Sequence, residues 1–304
     1  MALNVSDIGE KELINYILSQ SKSIIADDTA ITDFNDTNLI STSDMLIESK
    51  HFPKRMSYFQ MGFKAVTVNV SDLAAMGSDP LGFLLSIALP KDLDVNSFKQ
   101  IIDGVIKACK HYNIPLIGGD TNEASEIIIS GTALGLCDNP MMKNTAKEGD
   151  LVCLTGDIGL AALGFNLKGE NIYTEKSLMP YARLNEGKLI KDAGATSATD
   201  ITDGLASELY EMKPDSLGFM IYEEKLEISD EYKKLSHDLN LNYLDLLLHV
   251  GEDFELVFTI DRNNDLDIDY KVIGEVNASD KVEITLVNGE VKEIENRGYN
   301  HYVS

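Results

Sequence analysis

Apolar positions change period within residues 61–90, and the change marks two successive elements. Ala65, Val66, Val68, Val70, Leu73, Ala74 and Met76 recur at steps of two, three and four. Only the three- and four-residue steps persist, which predicts an amphipathic helix. Gly77 supplies a stop, Pro80 prevents resumption, and residues 81–89 then read as a buried strand. Small Ser71, Ala74, Ala75 and Gly77 would let the helix lie close against its neighbours. Asp72 sits in the middle of that surface. An isolated buried carboxylate is very expensive, so Asp72 is paired with Lys64 or another base, bound to metal, at a pocket edge or turned to water.

The same patterning organises the rest of the chain. Residues 9–19 carry Leu13, Ile14, Ile17 and Leu18 at helical spacing, a packing face with Ser6 or Asp7 as cap. Asp27-Asp28 stands between short apolar runs, as a turn or a ligand pair. Residues 38–46 read as a strand presenting Thr42, Ser43 and Asp44, an oxygen set that suits a hard cation or an ST-turn. Glu48, His51 and Phe52 follow. Residues 94–111 form a predicted helix with Val95, Phe98, Ile101, Ile102, Val105, Ile106 and Cys109 on its buried side. A strand from Pro115 ends in Gly118-Gly119-Asp120, where glycine permits close backbone approach, and residues 127–136 form another strand. Asn139, Pro140 and Glu148-Gly149-Asp150 punctuate the chain strongly, dividing it into domains 1–138 and 139–304.

In the second half, residues 151–159 read as a strand and a Gly turn before a helix over 160–167. That arrangement could hold an anion, although its spacing matches neither common phosphate-binding pattern. Asp200 and Asp203 lie three residues apart before a helix through Met212, converging across a turn or with one of them as a cap. Glu252, Asp253 and Glu255 follow Gly251 and lead into a strand.

Composition narrows the chemistry. Fifty acidic against 26 basic residues give a net charge of −24, which repels nucleic acid and anionic membranes. Handling phosphate would therefore require divalent cations as a bridge. Cys109, Cys137 and Cys153 are odd in number, lack CxxC spacing and read as reduced core residues. With neither a leader nor an apolar run of membrane length, the expected location is the cytoplasm. Asp27-Asp28, Asp44, Asp72, Asp120, Asp200 and Asp203 fall almost entirely at element ends beside Gly, Ser or Thr. Converging carboxylates repel each other and any phosphate unless Mg²⁺ lies between them, which points to metal-dependent phosphoryl transfer.

Several stretches carry a family resemblance: Ala26-Asp27-Asp28-Thr29-Ala30, Ser43-Asp44-Met45-Leu46 with His51-Phe52, residues 68–77 (VNVSDLAAMG), Leu116-Ile117-Gly118-Gly119-Asp120-Thr121, Asp200-Ile201-Thr202-Asp203-Gly204-Leu205, Gly251-Glu252-Asp253-Phe254-Glu255-Leu256 and Gly298-Tyr299. Together they resemble the thiamine-monophosphate kinase family, related to aminoimidazole ribonucleotide synthetase, over nearly the whole chain. The resemblance implies a two-domain α+β fold, with an N-terminal dimer-forming β-barrel, a C-terminal α/β sandwich and ATP between them. It implies metal ligands Asp28, Thr42, Ser43, Asp44, Asp72, Asp120, Asp200 and Asp203 for several Mg²⁺ ions. Gly119, Asp120, Lys143 and Thr202 would approach ATP, while His51, Glu252 and Tyr299 would contact thiamine phosphate. An acid and an aromatic there could hold the cationic thiazolium by charge attraction and cation–π contact.

Four positions depart from the family pattern. Ser23-Ile24-Ile25-Ala26 replaces glycines, Thr42-Ser43-Asp44 replaces Ser-Thr-Asp, Asn122-Glu123 stands where Thr-Arg is usual, and Lys143 replaces an Arg. The Ser/Thr exchange keeps hydroxyl ligands, whereas Lys lacks the bidentate fork of Arg. The activity implied is ATP-dependent phosphorylation of thiamine phosphate to thiamine diphosphate by a homodimer. The transfer is expected to be direct and in line, since no nucleophile–base pair is recognisable. Other superfamily enzymes are alternatives, but there is neither a Cys before 109 nor one at the C-terminus, where two of those relatives carry a reactive residue. A nucleotide-binding sensor without turnover is the alternative from another class.

Overall fold

A computed structural model describes residues 4–21 and 27–298. The first part comprises α1 (Val5–Gln20), β1 (Ala30–Phe34), β2 (Thr37–Ile47), α2 (Glu48–His51), α3 (Tyr58–Ala75), β3 (Asp79–Leu89), α4 (Val95–His111), β4 (Leu116–Glu123) and β5 (Ile128–Cys137). The second comprises β6 (Leu151–Leu154), α5 (Leu160–Asn166), α6 (Ile172–Leu178), α7 (Leu184–Asp192), β7 (Ser197–Asp200), α8 (Leu205–Met212), β8 (Gly218–Tyr222), α9 (Asp230–Asp238), α10 (Tyr243–His249), β9 (Leu256–Ile260), β10 (Lys271–Asn277), β11 (Val282–Thr285) and β12 (Val291–Glu293).

Each part has its own sheet, ordered β1-β2-β5-β3-β4 in the first and β12-β11-β8-β10-β6-β9-β7 in the second. Pairing is antiparallel except between β3 and β4 and between β8 and β11. The result is a two-domain α+β architecture.

Helix α3 lies between the sheets and is buried almost all round. Ser57 caps it, reinforced by the Gln60 side chain, and Gly77 at φ 66° ends it just beyond the Met76 cap. It packs on β2, β3, β5 and α4 in its own domain and on α7 and β7 in the other. Two of these contacts depend on missing side chains. A Cβ on Gly104 would stand 2.0 Å from the Phe59 carbonyl oxygen, and one on Gly187 would stand 2.1 Å from that of Ala74. Backbone cannot yield as a side-chain tip can. Gly104→Val should therefore destabilise by ~3 kcal/mol or more. A urea melt within about 1 kcal/mol of the parent would show that the α3–α4 crossing is looser than this.

Two sequence expectations fail at helices. In α1, Asn4 is the cap and Gly9 breaks the helical geometry. Ile14 and Ile17 are exposed, because among the described residues no element packs over that face of the helix. In α4, Val95 is exposed and Phe98, Ile102 and Ile106 are only half-buried, because the closest contact with α3 runs along Ile101, Gly104 and Val105.

Candidate active site

The last turn of α3 carries Asp72 beneath β2, where Thr42 Oγ1 donates to its carboxylate. Alternation along β2 places Asp44 on the same face as Thr42, and Asn69, one turn back in α3, accepts the Asp44 amide at 3.1 Å. Asp28, ahead of β1, and Asp200, closing β7, approach the same point from the two domains, Asp200 buried and the Asp28 side chain nearly so. Burial pushes the Asp72 carboxyl well above its usual range, and Asp44, Asp200 and Asp28 push it in the same direction. Burial, followed by the neighbouring Asp28, pushes Asp200 up to about 8. Asp28 rises to about 6 through burial, opposed by the Lys143 ammonium 2.6 Å away.

These groups fit a hard divalent cation. Asp28 Oδ2 and Asp200 Oδ2 are buried without a hydrogen-bond partner, and an orphaned carboxylate oxygen is costly unless a cation takes it. Among the described residues, no three acidic, His or Cys side chains form a ready-made metal cage. Mg²⁺ habitually completes such a partial set with water and substrate phosphate oxygens.

Beside the cluster opens a cleft of about 630 Å³ between the domains. Asp44 and Asp72 line one side together with His51 and Phe52, while Thr202, Asp203, Glu252 and Gly298 line the other. Asp203 and Thr202 are held by Glu208, which accepts their amides at 3.0 and 3.3 Å. Tyr299 lies outside the described residues. Lys143 does not reach into this cleft: its ammonium is pinned between Asp28 and Glu211, each at 2.6 Å. Those carboxylates outweigh burial and hold its pKa above the ordinary lysine value, so it stays charged.

Three predicted metal ligands do not join the cluster: Asp203 lines the other side of the cleft, and Ser43 and Asp120 face away from it. Ser43 follows Thr42 and so points to the opposite face of the sheet, where it bonds the Gly131 carbonyl at 3.0 Å and Thr132 at 2.9 Å. Asp120 pairs with Ser86, which pairs with Ser130 and thence Met45, placing it on that same far face. It is exposed, and three strand spacings, roughly 14 Å, separate β4 from β2. Gly119, at φ 151°, has no room for a side chain, since a Cβ there would stand 1.7 Å from the Leu85 carbonyl oxygen of β3.

Sequence reasoning missed Glu208 and Glu211, and it named Lys64 as one of several alternative partners for Asp72. Lys64, only 1% exposed, bonds Glu252 and the His51 carbonyl rather than Asp72. A buried lysine on an apolar helix was the available signal; the identity of a partner 188 residues away was not.

Comparison with known proteins agrees with this architecture. The AIR synthase related N-terminal domain matches residues 26–137 and its C-terminal domain matches 147–287. The thiamine-monophosphate kinase of Pyrococcus abyssi is 38% identical over 306 residues, 98% of this chain and 97% of that protein. The Aquifex aeolicus counterpart is 31% identical over 99% of this chain and 100% of its own. A solved structure, AaThiL complexed with AMPPCP and TMP, superposes with a TM-score of 0.90 at 30% identity, covering 99% of both chains. Hydrogenase maturation protein HypE in complex with ATP is 16% identical at a TM-score of 0.67, a likeness of fold alone. With two carboxylate-bearing domains closing on one cleft and full-length relatives above 30% identity, the chain belongs to the thiamine-monophosphate kinase family.

Proposed function

We infer that this chain transfers the γ-phosphoryl group of ATP to thiamine phosphate, forming thiamine diphosphate and ADP. The observation that carries the reading is the largely buried cluster of Asp28, Asp44, Asp72 and Asp200, with two buried and unpartnered oxygens, opening on an interdomain cleft of about 630 Å³. Family membership supplies the substrates. The acceptor phosphate is already anionic, so no strong general base is required; the difficulties are repulsion between two phosphates and their alignment. When bound at Asp28, Asp44, Asp72 and Asp200, Mg²⁺ supplies the charge neutralisation that phosphate groups need there. Thr42 orients Asp72, Glu208 holds the loop of Thr202 and Asp203, and closure of the two domains around the cleft limits water, which would otherwise compete as acceptor. Asp203 and Thr202 line the cleft, Asp203 as a further metal ligand and Thr202 towards ATP, and Tyr299 is assigned to thiamine phosphate by family motif alone.

Incubation with thiamine phosphate, ATP and Mg²⁺ should yield thiamine diphosphate and ADP in equal amounts. With ATP chirally labelled at the γ-phosphorus, the transferred group should arrive inverted, as a single displacement requires. Retention of configuration, or a labelled phosphoenzyme formed without acceptor, would refute direct transfer.

We also propose that two copies pair through the far face of the five-stranded sheet. Along β5, buried and half-buried residues alternate strictly, so one face is covered and the other is open. Met45 is 57% exposed on that open face, and the edge strand β4 is exposed along its whole length, including apolar Leu116 and Ile117. An isologous partner would cover these surfaces and place Ser43 and Asp120 at the seam. Sedimentation should show a dimer at micromolar concentration; a fully active monomer would contradict the pairing. The proposed division into domains 1–138 and 139–304 is supported by a connection there that carries neither helix nor strand.

A further inference from the structure

Helix α5 belongs to the second domain, yet its last turn is capped from the first. The final carbonyls of a helix are short of partners within the helix itself. In α5 those of Gly164 and Leu167 both accept from the guanidinium of Arg55, which stands in the connection between α2 and α3. Nη1 donates to Leu167 and Nη2 to Gly164, so the planar fork spans the end of the helix. Nη2 also reaches the Ser177 hydroxyl of α6 at 3.3 Å. One exposed side chain thus ties both helices to the first domain.

The two gripped carbonyls bracket Phe165, whose side chain lines the interdomain cleft. On the first domain's side His51, Phe52 and Pro53 line it, and Arg55 follows Pro53 by two residues. The clasp therefore lies next to a wall of the cleft in each domain. Helices α5 and α6 would move as one piece without it, since a Cβ on Gly164 would stand only 2.0 Å from the Tyr173 carbonyl oxygen. The domains are joined independently elsewhere. The Tyr112 hydroxyl accepts the Ala182 amide at 2.9 Å, and Thr67 donates to the Pro180 carbonyl at 3.3 Å, both in buried surroundings. Removing Arg55 leaves those joints intact and frees only the wall that carries Phe165.

We propose that Arg55 is a positioning residue for substrate binding: its fork fixes Phe165 as an aromatic wall of the cleft, against which a flat ring of a bound substrate packs. The proposal rests on the kinase reading above for the identity of the ligands. Thiamine phosphate and ATP both carry such a ring, and the test separates them. The fork matters more than the charge. Lysine is a single point donor and cannot span two carbonyls three residues apart in one plane.

The test is a double-mutant cycle on Arg55→Met and Phe165→Ala, read for each substrate as KM in turnover and as Kd by calorimetry. Both substitutions should weaken binding of the same substrate by about fivefold or more, with kcat and the other substrate's binding changed less than about threefold. Adding Arg55→Met to Phe165→Ala should cost less than about a further twofold, because the wall that Arg55 positions is already gone. Arg55→Lys, which keeps the charge without the fork, should stay weakened by about threefold or more. Effects of the two substitutions that multiply, or that fall on different substrates, overturn the proposal. So does an Arg55→Met enzyme that binds both substrates within about twofold of the parent, or an Arg55→Lys enzyme that matches the parent. Should Phe165→Ala fail to fold, Phe165→Leu removes the ring face and closes the same cycle. A wild type that binds both substrates and makes no thiamine diphosphate refutes the kinase reading alone, and the calorimetric cycle still decides whether Arg55 acts through Phe165. A wild type that binds neither overturns both.

Discussion

Asp72→Asn should lower turnover by about a thousandfold or more while leaving the folded protein at least as stable. The side chain keeps its shape and an oxygen to accept the Thr42 hydroxyl, so the packing of α3 on β2 is preserved. What disappears is one of several mutually repelling buried charges: Asp44, Asp200 and Asp28 all act against ionisation of Asp72. Removing it relieves the empty fold and deprives the phosphate site of an anionic ligand. Rate and thermal stability should therefore move apart, which a packing defect would not produce. Turnover within tenfold of the parent at saturating metal would eliminate Asp72 from the phosphate site.

Excess chelator should abolish turnover, with full recovery on return of Mg²⁺, and the metal-free protein should become more stable as pH falls from 8 to 6. The sign follows from the raised carboxyls. Burial first of all lifts Asp28 from 3.8 to about 6 and Asp200 from 3.8 to about 8. In that range the folded chain retains protons that the unfolded chain has released, so protonation favours the fold. This contribution is in place below the unfolded value of 3.8 and is lost as pH rises through about 6 and then about 8. One such group changes stability by roughly 1.4 kcal/mol per pH unit. A bound divalent cation does the proton's work, so saturating Mg²⁺ should flatten the slope. Melts at pH 6 and 8, with chelator and with metal, measure both effects. Metal-free stability that rises towards pH 8, or a slope that metal leaves unchanged, would contradict the cluster's role.

Local physics made much of the framework legible. The period change between residues 65 and 89 identified α3 and β3, because a helix and a strand must each present apolar side chains at their own spacing. Gly77 could be read as a stop because its role is local to one turn. The acids at element ends pointed to phosphate chemistry because chain ends, beside glycine and hydroxyl residues, are where oxygen ligands can converge.

The tertiary structure decided which of those acids meet. Thr42, Ser43 and Asp44 are consecutive, yet only Thr42 and Asp44 face α3, and no local pattern says which face of β2 a distant helix will cover. Asp120 resembled the other ligands in sequence and lies three strand spacings from the strand of Asp44, a separation set by the strand order of the sheet. Lys64 was a candidate partner for Asp72 by proximity along one helix; the second domain instead brought it Glu252. The sequence by itself determined the elements, the acidic chemistry and the family. Partnership between charges far apart in the chain depends on how sheets stack and domains close, and only the folded molecule decided it.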